Sequence, residues 1–187
     1  MLFMVCIKIF VMPSFIITGG PGSGKSTLLN ALEASGFQTI PEVSRELIRA
    51  EVGAGGMCLP WIDLPCFARK CLEKMQADFL AISTTEPVFF DRGLPDIIAY
   101  LNVGKITVDP TLLEVCSTHR YNTNVFIAPP WEEIYVNDDE RWQTFAEACT
   151  LYKAIKVAYT TLGYRLTELP KVSAAERADF IIKQIAG

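Results

Sequence analysis

Apolar runs and helical periodicities alternate along the whole chain. Phe15-Ile16-Ile17-Thr18 reads as part of a first strand over about residues 14 to 18, and about 25 to 34 as a helix with Leu28, Leu29 and Leu32 on one side. Phe37 to Pro41 follows as a second strand, then Val43 to Val52 as a helix that stops at the glycine-rich stretch Gly53-Ala54-Gly55-Gly56. Pro65 opens a long helix in which Ala68, Leu72, Met75, Phe79 and Ile82 recur at helical spacing. Pro87 to Asp91 is a short buried strand ending in a carboxylate, Asp96 to Val103 a helix, and Asn124 to Ala128 a fourth strand. Pro129, Pro130 and an acidic stretch through Asp139 interrupt regular structure. Trp142, Phe145, Cys149, Tyr152, Ile155 and Tyr159 mark one face of a further helix, closed by Gly163. Tyr164 to Leu169 is the fifth strand and Ala174 to Ile185 the last helix, with Ser173 and Glu176 spaced as a capping box. This alternation predicts an α/β fold, a parallel sheet with helices on both faces.

The sharpest local pattern lies between the first strand and its helix. Gly19-Gly-Pro-Gly-Ser-Gly-Lys-Ser-Thr27 satisfies G-x-x-x-x-G-K-[ST], the phosphate loop. Its glycines let consecutive backbone N–H groups turn inward around phosphate oxygens, and the following helix adds the positive end of its dipole. Gly20, Gly22, Ser23, Gly24, Lys25, Ser26 and Thr27 are therefore the expected nucleotide contacts. Lys25 neutralises the β and γ oxygens, and the Ser26 hydroxyl holds Mg²⁺.

Length and composition narrow the class. The 187 residues are most simply one domain, over 12–187, preceded by an apolar segment, 1–11, read as an extension or, alternatively, as an extra edge strand or an apolar dimer contact. Lys8 interrupts that segment, and it is too short to cross a bilayer, so no membrane insertion is expected. A net charge of −4 without a basic block argues against nucleic acid as partner. The six cysteines form no C-x-x-C pair and the chain has one histidine, His119, so no zinc site is expected. Isolated cysteines read as reduced core residues of a cytoplasmic protein. His119 reads as a helix C-terminal cap rather than a catalytic group. The oligomeric expectation is a monomer or homodimer.

A phosphate loop by itself serves kinases, GTPases and motor ATPases alike. N-K-x-D, which reads guanine, is absent from the chain, and the length leaves little room for the second domain of a large AAA machine. ATP is expected ahead of GTP. The loop together with Pro41-Glu-Val-Ser-Arg-Glu-Leu47, Phe90-Asp-Arg-Gly-Leu-Pro-Asp96, Ala128-Pro-Pro-Trp-Glu-Glu-Ile-Tyr135 and Asp139-Glu-Arg-Trp-Gln143 resembles the predicted-ATPase branch of the NadR-like AAA domains, from about Pro13 to the C-terminus. That grouping is similar to ribosylnicotinamide kinase and, more distantly, to deoxynucleoside and thymidylate kinases. The resemblance implies a three-layer P-loop fold with strand order 2-3-1-4-5, a lid over about 129–142, and Mg²⁺-dependent phosphoryl transfer from ATP to a small nucleoside-like or other metabolite acceptor. A nucleotide-binding switch or slow ATPase is the alternative it leaves open.

The resemblance also implies roles for single residues. Asp91, at a strand's carboxyl end, is the expected Mg²⁺ ligand with Ser26; the competing reading is an N-cap. Glu42 is the expected general base or ligand of the acceptor hydroxyl, with Arg45 one turn on, against a plain i, i+3 surface pair. Arg92 and Asp96 are expected at the substrate, against an Arg92 ion pair with Glu86 or Asp96. Arg141 is the expected lid arginine, catalytic with Lys25, Glu42 and Asp91, against a helix-surface ion pair. Lys171 and Val172 are expected beside the adenine; from the residues alone, Trp61, Phe67, Arg69 and Tyr100 are candidates to shape an acceptor pocket, against a plain core reading of the aromatics.

Overall fold

The runs over 14–19, 88–91 and 124–128 carry buried side chains on both faces, which only a sheet covered on both sides can bury, whereas those over 38–40 and 165–168 are partly exposed. The computed structural model describes residues 13–135 and 144–186. The strands β1 (Ser14–Gly19), β2 (Gln38–Ile40), β3 (Val88–Asp91), β4 (Asn124–Ala128) and β5 (Arg165–Glu168) pair in parallel in the order β2-β3-β1-β4-β5, the order expected from the sequence. Ile16, Val88, Phe90, Val125 and Ile127 point into one core, and Phe15, Ile17, Phe89, Phe126 and Ala128 into the other. This is the alternation that a pleated strand imposes.

Helices α1 (Lys25–Ala34) and α7 (Ala174–Ala186) cover the second face through Leu28, Leu32, Ala178 and Ile181. The other face carries α2 (Val43–Gly53), α3 (Leu64–Leu80), α4 (Leu94–Val103), α5 (Pro110–Thr118) and α6 (Phe145–Thr161). Asp63 starts α3 by accepting from the Cys66 N–H at 2.9 Å, with Pro65 in its first turn. Ser173 and Glu176 close their capping box, Ser173 Oγ donating to Glu176 Oε2 at 2.6 Å. Helix α5 was anticipated only at its end, through the reading of His119 as a cap, because it buries only Leu112 and Cys116, too few positions for a visible stripe. Asp109 and Pro110 nevertheless form a start signal, and the Asp109 carboxylate accepts from the Thr111 N–H at 2.8 Å. His119 caps the far end of α5, as expected. Helix α6 begins at Phe145 behind a Thr144–Glu147 capping box; Trp142, assigned to it from the sequence, lies outside the described residues, as does the 1–11 segment.

The cysteines correct one expectation. Cys58 and Cys66 form a disulfide, whereas Cys71 and Cys116 are free and buried and Cys149 is free and half-buried. The turn capped by Asp63 folds the chain back so that two positions eight apart lie with their Cα atoms 5.4 Å from each other, a closure that spacing alone does not reveal. Cysteine usage therefore no longer argues for a reducing compartment. Among the described residues no helix is long and apolar enough to cross a membrane.

Candidate functional site at the carboxyl edge of the sheet

The parallel register brings the ends of β2, β3 and β1 to one edge, with Ile17 opposite Asp91 and Ile40 opposite Phe90. The phosphate loop leaves β1 there. Gly22 takes φ +71°, and a Cβ on it would lie 2.5 Å from the Tyr135 ring, so both the turn and the packing above it require glycine. Ser23 Oγ donates to the Gly20 carbonyl at 2.8 Å, and Lys25 Nζ donates to the same oxygen at 3.0 Å. Burial, with Arg92 as a like charge, lowers the Lys25 ammonium to about 8, against the pull of Asp91 and Glu42. The N-terminus of α1 carries no side-chain cap, and Ser26 and Thr27 are exposed on its first turn. Backbone donors and hydroxyls thus face a common concavity, which suits a polyphosphate.

Four charged side chains stand beside this cradle. Arg92 adopts φ +74°, a left-handed backbone that a non-glycine residue holds only where its surroundings over-determine it. Its guanidinium donates from Nε to Glu42 Oε1 at 2.9 Å and from Nη1 to the Gly19 carbonyl at 3.0 Å and Asp96 Oδ1 at 3.2 Å. It also lies 5.5 Å from the centre of the Tyr100 ring. Asp96, in the first turn of α4, further accepts from Thr18 Oγ1 and the Tyr159 hydroxyl, both at 2.6 Å, and from the Gly93 N–H at 3.0 Å. Both its oxygens are thereby engaged inside the protein, and of the two acids weighed as partners of Arg92 the structure pairs Asp96. Glu42 accepts from Arg92, from Ser44 Oγ at 2.6 Å and from Arg45 Nε at 3.2 Å. Burial alone would raise its carboxyl, but Arg92 and Lys25 outweigh that and hold it well below the usual carboxylate range. The Glu42–Arg45 pair is therefore one edge of a larger buried network and not a surface couple.

Asp91 differs from its neighbours. It is 3% exposed, and its Oδ1 has no hydrogen-bond partner. Gly93, not Asp91, is the N-cap of α4. Burial raises the Asp91 carboxyl to about 6, opposed chiefly by the Lys25 charge. A buried carboxylate oxygen without a donor beside a phosphate cradle is the donor type that Mg²⁺ takes when phosphates and waters complete its shell. Among the described residues no group of three or more His, Cys, Asp or Glu side chains is assembled as a metal cage.

The first part of the expected lid lies over the cradle. Trp131 leads into a 3₁₀ turn at Glu132–Ile134, with Ile134 Cδ1 3.2 Å from where a Cβ on Gly24 would stand. Arg141 and the rest of the lid fall outside the described residues. On the other side, Val172 joins Gly22, Thr27, Trp131, Ile134 and Arg177 around a cavity of about 300 Å³. Lys171 precedes Val172 in the exposed loop before α7. Arg177 was missed in the sequence. It is buried, donates to the Pro170 carbonyl at 2.8 Å and the Ser23 carbonyl at 2.9 Å, and stacks 4.9 Å from Trp131. Its signal was a cation on the apolar stripe of α7, in step with Ala174, Ala178 and Ile181. Thr18, Ser44 and Tyr159 were also missed, being ordinary core or helix residues until the network joins them.

A second cavity of about 330 Å³ runs from the phosphate loop past Glu42 and Arg45 to a wall formed by α3 and α4. Phe67 and Tyr100 line it, as expected; Trp61 and Arg69 are exposed and stand outside its lining.

Residues 14–177 match the sequence model of a family described as AAA domain. The chain belongs to this family. No curated protein matches the AAA domain chain at a significant level. Solved structures give its fold relatives. A deoxyadenosine kinase from M. mycoides with dCMP product and a flexible dCDP bound is 14% identical, covering 92% of this chain and 98% of its own at a TM-score of 0.65. Shikimate kinase from Acinetobacter baumannii in complex with shikimate is 18% identical, with coverage of 94% and 93% and a TM-score of 0.58. Thymidylate kinase from Ehrlichia chaffeensis is 18% identical, with coverage of 93% and 99% and a TM-score of 0.58. At such identities the likeness establishes the P-loop kinase-like fold of this AAA domain.

Proposed function

We propose that this AAA domain protein is a kinase that transfers the γ-phosphoryl group of ATP to the hydroxyl of a small molecule. The carrying observation is the cavity that joins the phosphate cradle to Glu42 and Arg45 and continues beyond them, because a donor site that runs on into a cleft beside it is what an acceptor requires. The kinase-like fold of the solved relatives supports the same reading.

The loop from Gly20 to Thr27 holds the phosphates, with Lys25 leaving the Gly20 carbonyl for the β and γ oxygens. Asp91 and Ser26 are the residues to hold Mg²⁺, which when bound neutralises charge on the phosphates. Glu42 orients the acceptor hydroxyl and accepts its proton as the new bond forms, while Arg45 supplies positive charge at the same mouth. Arg92 and Asp96 act as positioning residues: their mutual bond fixes the Glu42 carboxylate relative to β1. The adenine is assigned to the cavity beside Val172 and Lys171, where Arg177 Nη2 is a buried donor without a partner. Arg141 is assigned to the closing lid, and the branch to the NadR-like group, on the resemblance in sequence alone.

The test is acceptor-dependent release of ADP. With MgATP and a metabolite panel, a kinase releases ADP only with an acceptor, and the phosphorylated acceptor appears in equal amount by mass spectrometry. Tight nucleotide binding with no acceptor in any class would replace this reading by a nucleotide switch. Lys25→Ala is expected to weaken ATP binding by at least about a hundred-fold by calorimetry, the loss of a charge-assisted contact in a buried site; unchanged affinity would remove the phosphate-loop assignment itself.

A further inference from the structure

The segment that joins α2 to α3 is closed on itself by the Cys58–Cys66 disulfide. This bridged loop forms one end of the cleft beyond Glu42. Pro60 and Leu64 lie between the two cysteines, Phe67 follows Cys66 directly, and all three line the cleft. Leu64 also packs on Gly104, another lining residue, where an added Cβ would stand 2.6 Å from Leu64 Cδ2. The position of that wall therefore follows the position of the loop.

The bridge can open without unfolding what surrounds it. The loop has fastenings that do not involve sulfur: Glu51 Oε2 accepts from the Cys58 N–H at 3.2 Å, Glu51 Oε1 pairs with Lys70 of α3, and the Asp63 carboxylate accepts from the Cys66 N–H at 2.9 Å. The phosphate loop leaves β1 and Arg92 leaves β3, so the nucleotide cradle is built on other elements. Cys66 is half-buried between exposed neighbours, whereas Cys58 is 7% exposed, so an incoming thiolate meets Cys66 first. A short loop gains less from closure than a long one, and an accessible bridge is the more readily reduced kind.

Resting on the kinase reading above for its consequence, we infer that the Cys58–Cys66 pair is a thiol–disulfide control site for the acceptor cleft. The cleft wall is fixed when the pair is bridged and loose when a dithiol reductant has opened it. In the step, a thiolate of the reductant attacks Cys66 Sγ, the Sγ–Sγ bond breaks, and Cys58 leaves with the electron pair and takes up a proton. The reductant's second thiolate then attacks its own sulfur in the mixed disulfide and releases Cys66, which is protonated in turn. Two electrons pass to the protein, and the reductant ends as a disulfide. A loosened loop must be ordered again whenever an acceptor binds, and fixing even one residue's backbone corresponds to a factor of about ten in affinity.

Dithiothreitol serves as the dithiol in the test. Alkylation of the native protein with iodoacetamide, read by peptide mass spectrometry, is expected to label Cys58 and Cys66 only after reduction. Hydrogen–deuterium exchange over residues 57–68 is then expected to quicken by about ten-fold or more, while exchange over 19–27 and the affinity for MgADP stay unchanged. Cys58→Ser combined with Cys66→Ser is expected to exchange at the fast rate with or without dithiothreitol, which separates the bridge from Cys71, Cys116 and Cys149. Should circular dichroism show that variant unfolded, the response of the natural chain decides. Cysteines that alkylate before reduction, or exchange over 57–68 that reduction leaves unchanged, overturn the inference. With any acceptor that drives ADP release, KM is expected to rise by about ten-fold on reduction. An equal KM in both states overturns the inference and leaves the kinase reading in place. Exchange that responds as expected, with no ADP release by any acceptor, upholds the bridge as the control of the cleft wall and instead defeats the kinase reading.

Discussion

Glu42 and Asp91 are two carboxylates at one sheet edge with opposite environments, and each leaves a separate mark on the protein's pH behaviour. Glu42 is held below its ordinary 4.5 because Arg92 and Lys25 overcome the cost of burial. A depressed carboxyl contributes stability that is present above the unfolded value and is lost as pH falls toward the folded one. Glu42→Gln is therefore expected to lower the melting temperature at pH 7, with a loss of up to about 3 kcal/mol for breaking a buried pair, and to flatten the decline below about pH 4.5. Calorimetric scans across pH measure both. Asp91 is raised from 3.8 to about 6 by burial, so its contribution is favourable at low pH and is lost as pH rises through 6. Asp91→Asn in EDTA is expected to be more stable than the natural chain at pH 8 by about 3 kcal/mol at most, at 1.36 kcal/mol per unit, with the gap closing below pH 4. A variant no more stable at pH 8 would mean that the buried carboxylate is not strained in the free protein.

At the scale of the element, the site depends on how β3 passes into α4. Arg92 takes a left-handed backbone and Gly93 follows in extended conformation, so that Arg92 points back to Gly19 and Glu42 while α4 starts at Leu94. A Cβ on Gly93 would stand 2.4 Å from Ile16 Cδ1 and 3.1 Å from the Tyr159 hydroxyl. Gly93→Ala is accordingly expected to cost about 1–3 kcal/mol through overpacking and to disturb the Tyr159–Asp96 bond, seen as a lower melting temperature and weaker acceptor binding. Most elements were legible in the sequence, since strands such as Val88 to Asp91 and the α3 stripe carry their periodicity openly. Helix α5 was legible only at its His119 end, because it fully buries just Leu112 and Cys116. The Gly-Lys-Ser cradle was legible because phosphate binding fixes residue type at each step. Asp96 was legible as a member of the site but not as its fully bonded centre, and the Cys58–Cys66 pair was invisible because it depends on the turn between them.

For the molecule as a whole, segments far apart in the sequence are joined through one side chain. Arg177 lies on α7, yet its Nη1 reaches the Ser23 carbonyl of the phosphate loop, 154 positions earlier, while its Nε holds the Pro170 carbonyl in the loop after β5. Trp131 stacks on the same guanidinium. Three segments that surround the proposed base site, from β1, β4 and β5, are thus set against each other by one planar cation whose fork fixes direction as well as distance. Hydrogen bonds to a charged donor contribute about 1.5–3 kcal/mol each, and removing this donor leaves two carbonyls to find water. Arg177→Met keeps much of the stem's packing and is expected to lose about 3–6 kcal/mol on that basis. If the guanidinium also sets the phosphate loop against the base loop, ATP affinity falls in the folded variant by at least about ten-fold, and Arg177→Lys, lacking the fork, recovers little of it. Calorimetric titration of both variants well below their melting temperatures separates the two effects: a stability loss with unchanged ATP affinity would confine Arg177 to the fold, and a loss of affinity that lysine fully restores would reduce its role to charge.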